Sequence, residues 1–354
     1  MSPEKTPNRK DLFFTSGLVL ICFFIFRDIL FNGRLLFGSD FIAFYLGMKQ
    51  FLYDQIHANH SIPYWNPYIF GGMPFWAHLE STIFYPLNFL FLVMPPEKAF
   101  GYTMFIHFLL GSAFMFLLSR SFKINRFGSF MASLVFILNG FIVATIFDGQ
   151  MFRIQTYIWI PLIIYFLNHT QESETPFFSI ALAGFFWGIQ LLAGSLQDGF
   201  YTLLIAILFI TLKNYHGVTK KRFIYRTVGC ILLFSFTGLG IAAIQLIPSY
   251  EFIVRSARAG SFDYEIVTMV SYPLEGIITL FMPHFFGSYI EGNYWVSGIP
   301  WSLPLYNLYI GILPLILIVF ISYRPYEEER LLPFALITTS IWIDQNSNWQ
   351  QFSA

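Results

Sequence analysis

The feature that most constrains this chain is a succession of apolar runs, most about as long as a bilayer core requires. They fall near 12–31, 100–119, 128–147, 153–168, 177–195, 199–213 and 228–247, with two more near 304–322 and 331–343. A helix rises about 1.5 Å per residue, so roughly twenty apolar residues cross a hydrocarbon core of about 30 Å. Hydrophobic residues fill 56% of the 354 positions and charged residues 11%, against about 25% charged in an ordinary soluble domain. A soluble fold has no interior large enough to hide that surface. The expected fold class is all-α, a polytopic transmembrane bundle of eight or nine spans with two long loops carrying interfacial helices. The runs 153–168 and 199–213 are short for a crossing. The run 83–93, broken by Pro86, reads as re-entrant or interfacial.

Lysine and arginine set the orientation, because loops rich in them stay on the cytoplasmic side. Alternating nine spans gathers Lys5, Arg9, Lys10, Arg120, Lys123, Arg126, Lys213, Lys220, Lys221, Arg222, Arg226, Arg324 and Arg330 on one side. The other side receives the long loops 32–98 and 248–303, which hold few basic residues for their length. This places the N-terminus in the cytoplasm, in a multi-pass protein of the cytoplasmic (inner) membrane. Phe13–Phe26 follows Lys5, Arg9 and Lys10 and lacks a small-residue cleavage site, so it reads as an uncleaved anchor. Cys22 and Cys230 lie inside apolar runs and read as small packing residues rather than a disulfide or metal pair.

The same alternation collects the polar residues at the membrane turns on the outer side: Asp40, Asp148, Gln150, Arg153, Gln197, Asp198, Gln245, Glu251, Arg255 and Arg258. Of the outer loops, Gly38–Pro96 carries the most unusual composition, with many aromatic residues and few charge runs, which argues against disorder. At 100° per residue, Phe41, Phe44, Tyr45, Met48, Phe51, Leu52 and Ile56 share one face of a helix. Asp40, Gly47, Gln50, Asp54 and His57 share the other. Asp40 then stands at the N-terminal end, where the dipole and free N–H groups favour an ionised carboxylate. It serves there either as a cap alone or as a group with chemistry.

Other constellations have equally plain alternatives. Asp54, His57, His60, His78 and Glu80 are possible metal ligands, but no H-E-x-x-H motif is present, and interfacial histidines are ordinary. A divalent cation held by carboxylates and a substrate phosphate would leave less trace. Glu251, Arg255 and Arg258, at spacings of four and three, share a helix face. They form either a guanidinium fork for a phosphate or an interfacial ion pair with snorkelling arginines. Trp65, Trp76, Trp295 and Trp301 suit sugar stacking or an aromatic belt.

The order Gly38-Ser39-Asp40, Tyr64-Trp65-Asn66-Pro67, Gly71-Gly72-Met73-Pro74 and Tyr85-Pro86 resembles the YfhO family of bacterial membrane proteins. So does Gln245-Leu246-Ile247-Pro248 with Glu251 and Ser256-Ala257-Arg258, followed by Pro283-His284-Phe285-Phe286-Gly287. That family is similar to the GT-C superfamily of multi-spanning glycosyltransferases, which use polyprenyl-phosphate sugars and carry a catalytic acid residue in the first external loop. The resemblance implies an inverting membrane glycosyltransferase. Its partners would be a lipid-linked sugar donor, an envelope glycan or glycolipid acceptor and membrane lipid, with no nucleic acid. Asp40 would be the general base; Arg255 and Arg258, with Arg153 third, would meet the lipid phosphate. Gln197 and Gln245 would hydrogen-bond the sugar, with Glu251 beside them. The chain departs from the family at Gly149-Gln150, where a glycine-histidine step is usual, and at Ser195-Leu196-Gln197, where histidine-proline-glutamine is usual. A transporter or flippase of a lipid-linked or small polar substrate is the competing class. It calls for ionisable residues in mid-span, of which the sequence offers almost none. An envelope assembly protein is the third class.

These readings give a GT-C-like transmembrane domain over 1–343 and a tail over 344–354. The last run, Leu331–Ile343, is about 13 residues or roughly 20 Å of helix, short of a crossing. The expectation is the front part of a longer, truncated protein. For orientation, single cysteines placed in 32–98, 248–303 and 213–226 should react with a membrane-impermeant thiol reagent in intact cells only in the first two segments. Labelling confined to 213–226 would reverse the assignment.

Overall fold

The computed structural model describes residues 9–36, 38–171, 176–215, 219–256 and 274–287, together with Asn293, Tyr309 and Ile312. Arg258, Trp295, Trp301, nearly all of 304–322, the run 331–343 and the tail 344–354 lie outside the described residues. The protein is an all-α polytopic bundle. Among the described residues the helices are α1 (Arg9–Phe31), α2 (Leu46–Asn59), α3 (Leu90–Val93), α4 (Pro96–Ser121), α5 (Arg126–Ile137) and α6 (Gly140–Asp148). They continue with α7 (Met151–Tyr157), α8 (Ile160–Asn168), α9 (Pro176–Leu192), α10 (Leu196–Tyr215) and α11 (Lys220–Val254). Five stretches are long and apolar enough to cross a membrane: α1, α4, the α5–α6 pair, α10 and α11, with α9 shorter.

The interruptions follow from particular residues. The run 128–147 breaks where Asn139 caps α6, its side chain accepting from the Ile142 N–H at 2.9 Å. The run 153–168 divides at Ile158-Trp159 into α7 and α8, which are buried along most of their length. Helix α8 is apolar nearly all round, which suits the interior of a bundle, and α7 buries Arg153, Gln155 and Thr156 as well. Helices α9 and α11 approach backbone to backbone. A Cβ on Gly184 would come within 2.5 Å of the Phe234 carbonyl oxygen, and one on Gly188 within 2.7 Å of the Gly238 oxygen. Small residues four apart permit that approach where burial of apolar surface gives little drive. At 35 residues, α11 is about 52 Å long, well beyond a hydrocarbon core. Its C-terminal part meets the loop between α1 and α4. Cys22 and Cys230 are both free and buried.

That loop is ordered and docked. The helix expected from its periodicity is present: Phe41, Tyr45, Met48, Phe51 and Leu52 are buried, while Gly47, Asp54 and His57 are exposed. A two-stranded hairpin follows, β1 (Trp65–Asn66) with β2 (Met73–Pro74), in the register Trp65↔Pro74 and Asn66↔Met73. Its turn requires Gly72, at φ +118, because a Cβ there would lie 2.6 Å from the Trp65 ring. Residues 83–93 form a 3₁₀ turn at Pro86–Phe89 and the single turn of α3, in keeping with a non-spanning segment.

The loop is pinned by polar groups buried under it. Tyr85, 1% exposed, accepts from the Trp159 indole N–H at 2.9 Å and donates to His107 Nε2 at 2.8 Å, while His107 Nδ1–H donates to the Thr103 carbonyl. Asn88 and Gln155 exchange side-chain amide hydrogen bonds at 2.6 and 3.3 Å. On α11, Gln245 donates to the Trp76 carbonyl at 3.2 Å and Ser249 to the Ala77 carbonyl at 2.7 Å.

Lys49 was not foreseen among these groups. It shares the face of Tyr45, Met48 and Leu52 and is 1% exposed. Its Nζ donates to the Ser81 carbonyl at 2.6 Å and Thr82 Oγ1 at 2.7 Å, and lies 5.1 Å over the Phe91 ring. Among the described residues no carboxylate pairs with it. Burial pushes its pKa from 10.5 down to about 7. Between those values the unfolded chain holds a proton that the native chain has released, so this group adds stability as pH rises through the window. The melting temperature of the wild type should therefore climb relative to Lys49→Met between about pH 7 and pH 9. A pH-independent difference between the two proteins would show that Lys49 is not desolvated.

Candidate functional site

The site is built where two turns from distant parts of the chain meet backbone on backbone. Gly38 opens the loop helix, its carbonyl accepting from the Ile42 N–H, and Gly149 ends α6 at φ +81. A Cβ on Gly38 would lie 2.6 Å from Gly149 N, and one on Gly149 would lie 2.6 Å from Phe41 N. Only glycine at both positions permits this contact. It sets Ser39 and Asp40 against the turn Asp148–Gln150, and Ser39 Oγ donates to the Asp148 carbonyl at 3.2 Å.

Asp40 is half-buried in the first turn, as the sequence placed it, but its side chain does not cap the helix. Its Oδ2 instead accepts from Gln150 Nε2 at 3.2 Å. The cap contact that the helix terminus offers it is therefore not made. Partial desolvation raises its pKa above the ordinary carboxylate value, and the Gln150 hydrogen bond only partly offsets that rise. Immediately after Asp40 the chain makes a π-turn over Phe41–Tyr45, an irregularity common at functional sites. Phe41 stacks on Phe100 at 3.9 Å, and the Tyr45 hydroxyl donates to Glu80 Oε2 at 3.1 Å. Tyr45 stays a neutral phenol. Burial and then the charges of Glu80 and Asp40 push its pKa well up, and Arg153 opposes them only in part.

Arg153 lies one turn beyond Gln150, its N–H donating to the Gln150 carbonyl. It is 4% exposed, stands over the Phe141 ring at 5.0 Å, and its Nε is 3.7 Å from Asp198 Oδ2. The same Asp198 oxygen accepts from Ser195 Oγ at 2.6 Å, while Asp198 Oδ1 is buried with no hydrogen-bond partner among the described residues. Asp40, Gln150, Arg153, Asp198 and Tyr45 thus form one cluster at the end of the bundle beneath the docked loop. Ser195 also falls inside it. Gln150 holds Asp40, and Ser195 holds Asp198.

The remaining candidates divide. Gln245 is 1% exposed, its amide N–H group donates to the Trp76 carbonyl and Ser249 Oγ, and its Oε1 has no hydrogen-bond partner among the described residues. Gln197 donates to the Tyr201 hydroxyl at 2.9 Å. Glu251 and Arg255 form an ion pair at 2.8 Å with side chains 62% and 77% exposed, the plain surface reading of that motif. The suggested metal ligands are dispersed: Asp54 bonds Gln50, His57 bonds the Tyr53 carbonyl, His60 ends α2 in a left-handed turn, and His78 packs on Phe44. No group of three His, Cys, Asp or Glu side chains fit to hold a metal occurs among the described residues.

Sequence reasoning missed Tyr45 as a member of the cluster and Asp198 as the partner of Arg153. For Tyr45 the signal was its position on the buried face of a helix that begins with an acid. For Asp198 it was an acid at a membrane turn, the position that had drawn attention to Arg153.

No family model and no curated protein matches the sequence. Among solved structures, the chain is similar to the crystal structure of the Archaeoglobus fulgidus oligosaccharyltransferase tethered by a disulfide to an acceptor peptide containing the NVT sequon. The TM-score is 0.39 and the identity 12%, over 94% of this chain and 49% of that one. The chain therefore spans about half the length of that protein.

Proposed function

We propose that this protein is a membrane glycosyltransferase of the GT-C type, transferring a sugar from a polyprenyl-phosphate donor to an envelope glycan or glycolipid on the outer face of the cytoplasmic membrane. The observation that carries the reading is the state of Asp40. It is a half-buried carboxylate that leaves its own helix uncapped and is held by Gln150, whose backbone carbonyl accepts from the N–H of the buried Arg153. In the reaction, Asp40 takes the proton of an acceptor hydroxyl as that oxygen bonds to the anomeric carbon. The bond from that carbon to the phosphate oxygen breaks, and the lipid phosphate leaves with the electron pair. Attack opposite the leaving group inverts the configuration. A raised pKa makes Asp40 a stronger base than a solvated aspartate. Gln150 fixes its orientation, and the partly desolvated Arg153 meets the charge growing on the phosphate. The motif order shared with the YfhO family supports the same assignment.

Asp40→Asn tests this because it keeps the side chain's shape and removes the proton acceptor. The sign of the stability change is part of the test. A carboxylate whose folded pKa is raised makes the native state bind more protons than the unfolded one, so ionising it costs stability as pH rises. The variant should therefore melt at or above the wild-type temperature at neutral pH. Its transfer from a polyprenyl-phosphate sugar should fall by about 10²–10⁴-fold. Wild-type turnover in the folded variant would remove Asp40 from the chemistry.

A further inference from the structure

At the end of the bundle opposite Asp40, a cavity of about 210 Å³ opens between the ends of α8, α9, α10 and α11. Along α10, Asp198 and Lys213 are fifteen residues apart, about 22 Å of helix, so this cavity is separate from the site described above. Its lining has two characters. Lys213, Arg222 and Arg226 supply cationic groups, and Leu167, Phe177 and Ile180 an apolar wall. Phe177 is 69% exposed, so the apolar wall continues onto the exposed surface of the bundle.

Arg222 and Arg226, both exposed, belong to the basic run that sets orientation, and their spacing adds a further point. Arg222 and Arg226 are four apart on one face of α11, where like charges repel and destabilise a helix. Neither has an ion-pair partner among the described residues. Lys213, which reaches the same cavity, stands 5.7 Å over the Phe209 ring. An anion between these side chains would relieve the repulsion, and guanidinium groups suit phosphate oxygens. The volume limits the choice. At about 210 Å³ the cavity is smaller than the roughly 300–1,000 Å³ of ordinary small-molecule sites. It can take a phosphate headgroup whose remaining bulk lies elsewhere, along the exposed apolar face.

We propose that this cavity binds the headgroup of an anionic phospholipid from the leaflet at that end of the bundle, with Arg222 and Arg226 gripping the phosphate and an acyl chain lying on Phe177. Helices α9 and α11, which pack so closely farther along, would then be tied together at this end by a lipid. The proposal is independent of glycosyl transfer and its readout is binding.

The experiment uses the full chain in nanodiscs or detergent, with dioleoylphosphatidylglycerol as the probe and dioleoylphosphatidylcholine as the zwitterionic control. Lipid retained in native mass spectra and the rise in melting temperature on lipid addition are measured. Phosphatidylglycerol should be retained and should stabilise the wild type, while phosphatidylcholine does neither. Arg222→Gln with Arg226→Gln should weaken retention by at least about tenfold. Lys220→Gln with Lys221→Gln, adjacent on α11 but not lining the cavity, should leave it unchanged. Thr170→Trp, which fills the cavity and keeps all three cations, should also abolish retention. Equal losses in the two double variants would mean diffuse surface charge and overturn the proposal. So would retention in Thr170→Trp, or displacement of the lipid by millimolar inorganic phosphate, which would indicate a site for free phosphate.

Discussion

A long polar segment lying against an apolar bundle is stable only if each polar group it buries finds a partner, because an unmade buried hydrogen bond costs about 1–3 kcal/mol. The contact that satisfies this most completely is the Tyr85 hydroxyl, bonded to Trp159 on one side and His107 on the other. Two of its three participants lie in the bundle, at the break between α7 and α8 and on α4, so the loop's position is set by helices that are themselves fixed by packing. The Asn88–Gln155 amide pair and the Gln245–Ser249 end of α11 add two further anchors. Hydrogen-bond networks of this kind specify one arrangement over others, since any slippage leaves several groups unpaired at once.

Everything proposed for Asp40 depends on that docking. The loop's first turn reaches Gly149 only because the rest of the loop is held down, and the close glycine contact then brings Asp40 to Gln150. Desolvation and hydrogen bonding act on the carboxylate in opposite directions, and desolvation prevails. The outcome is a group that costs the folded state something and is better suited to accept a proton, a trade often found at functional sites. Arg153 and Asp198 are both nearly buried, with Arg153 Nε 3.7 Å from Asp198 Oδ2.

The bundle was legible in the sequence because apolar run length and periodicity follow from local rules. The runs near 12–31, 100–119 and 228–247 became α1, α4 and α11, and the amphipathic face from Phe41 to Leu52 is buried as its spacing required. Lys49 was not legible. Its place on the buried face was available from the 3.6-residue period, but its partners, Ser81 and Thr82, belong to irregular turns that no period describes. Asp40 was legible as the acid that opens the loop helix, and its contact with Gln150 was not. A cap is a local inference, whereas its contact with Gln150 spans 110 residues. The Gly38–Gly149 contact is hidden for the same reason. The pairing of Glu251 with Arg255 was read correctly from spacing, and the exposure that makes it an ordinary surface pair came only from the fold.

The central claim is that docking of the loop holds the Asp40 carboxylate partly out of water, with Gln150 as its hydrogen-bond donor. Infrared difference spectra of the wild type minus Asp40→Asn isolate the carboxyl stretching band of this residue and follow it through a pH titration. The account predicts protonation at a pH above the ordinary aspartate range, and a further rise in Gln150→Leu, where the only lowering contribution is lost. Titration at or below the ordinary aspartate value, unmoved by Gln150→Leu, would contradict it.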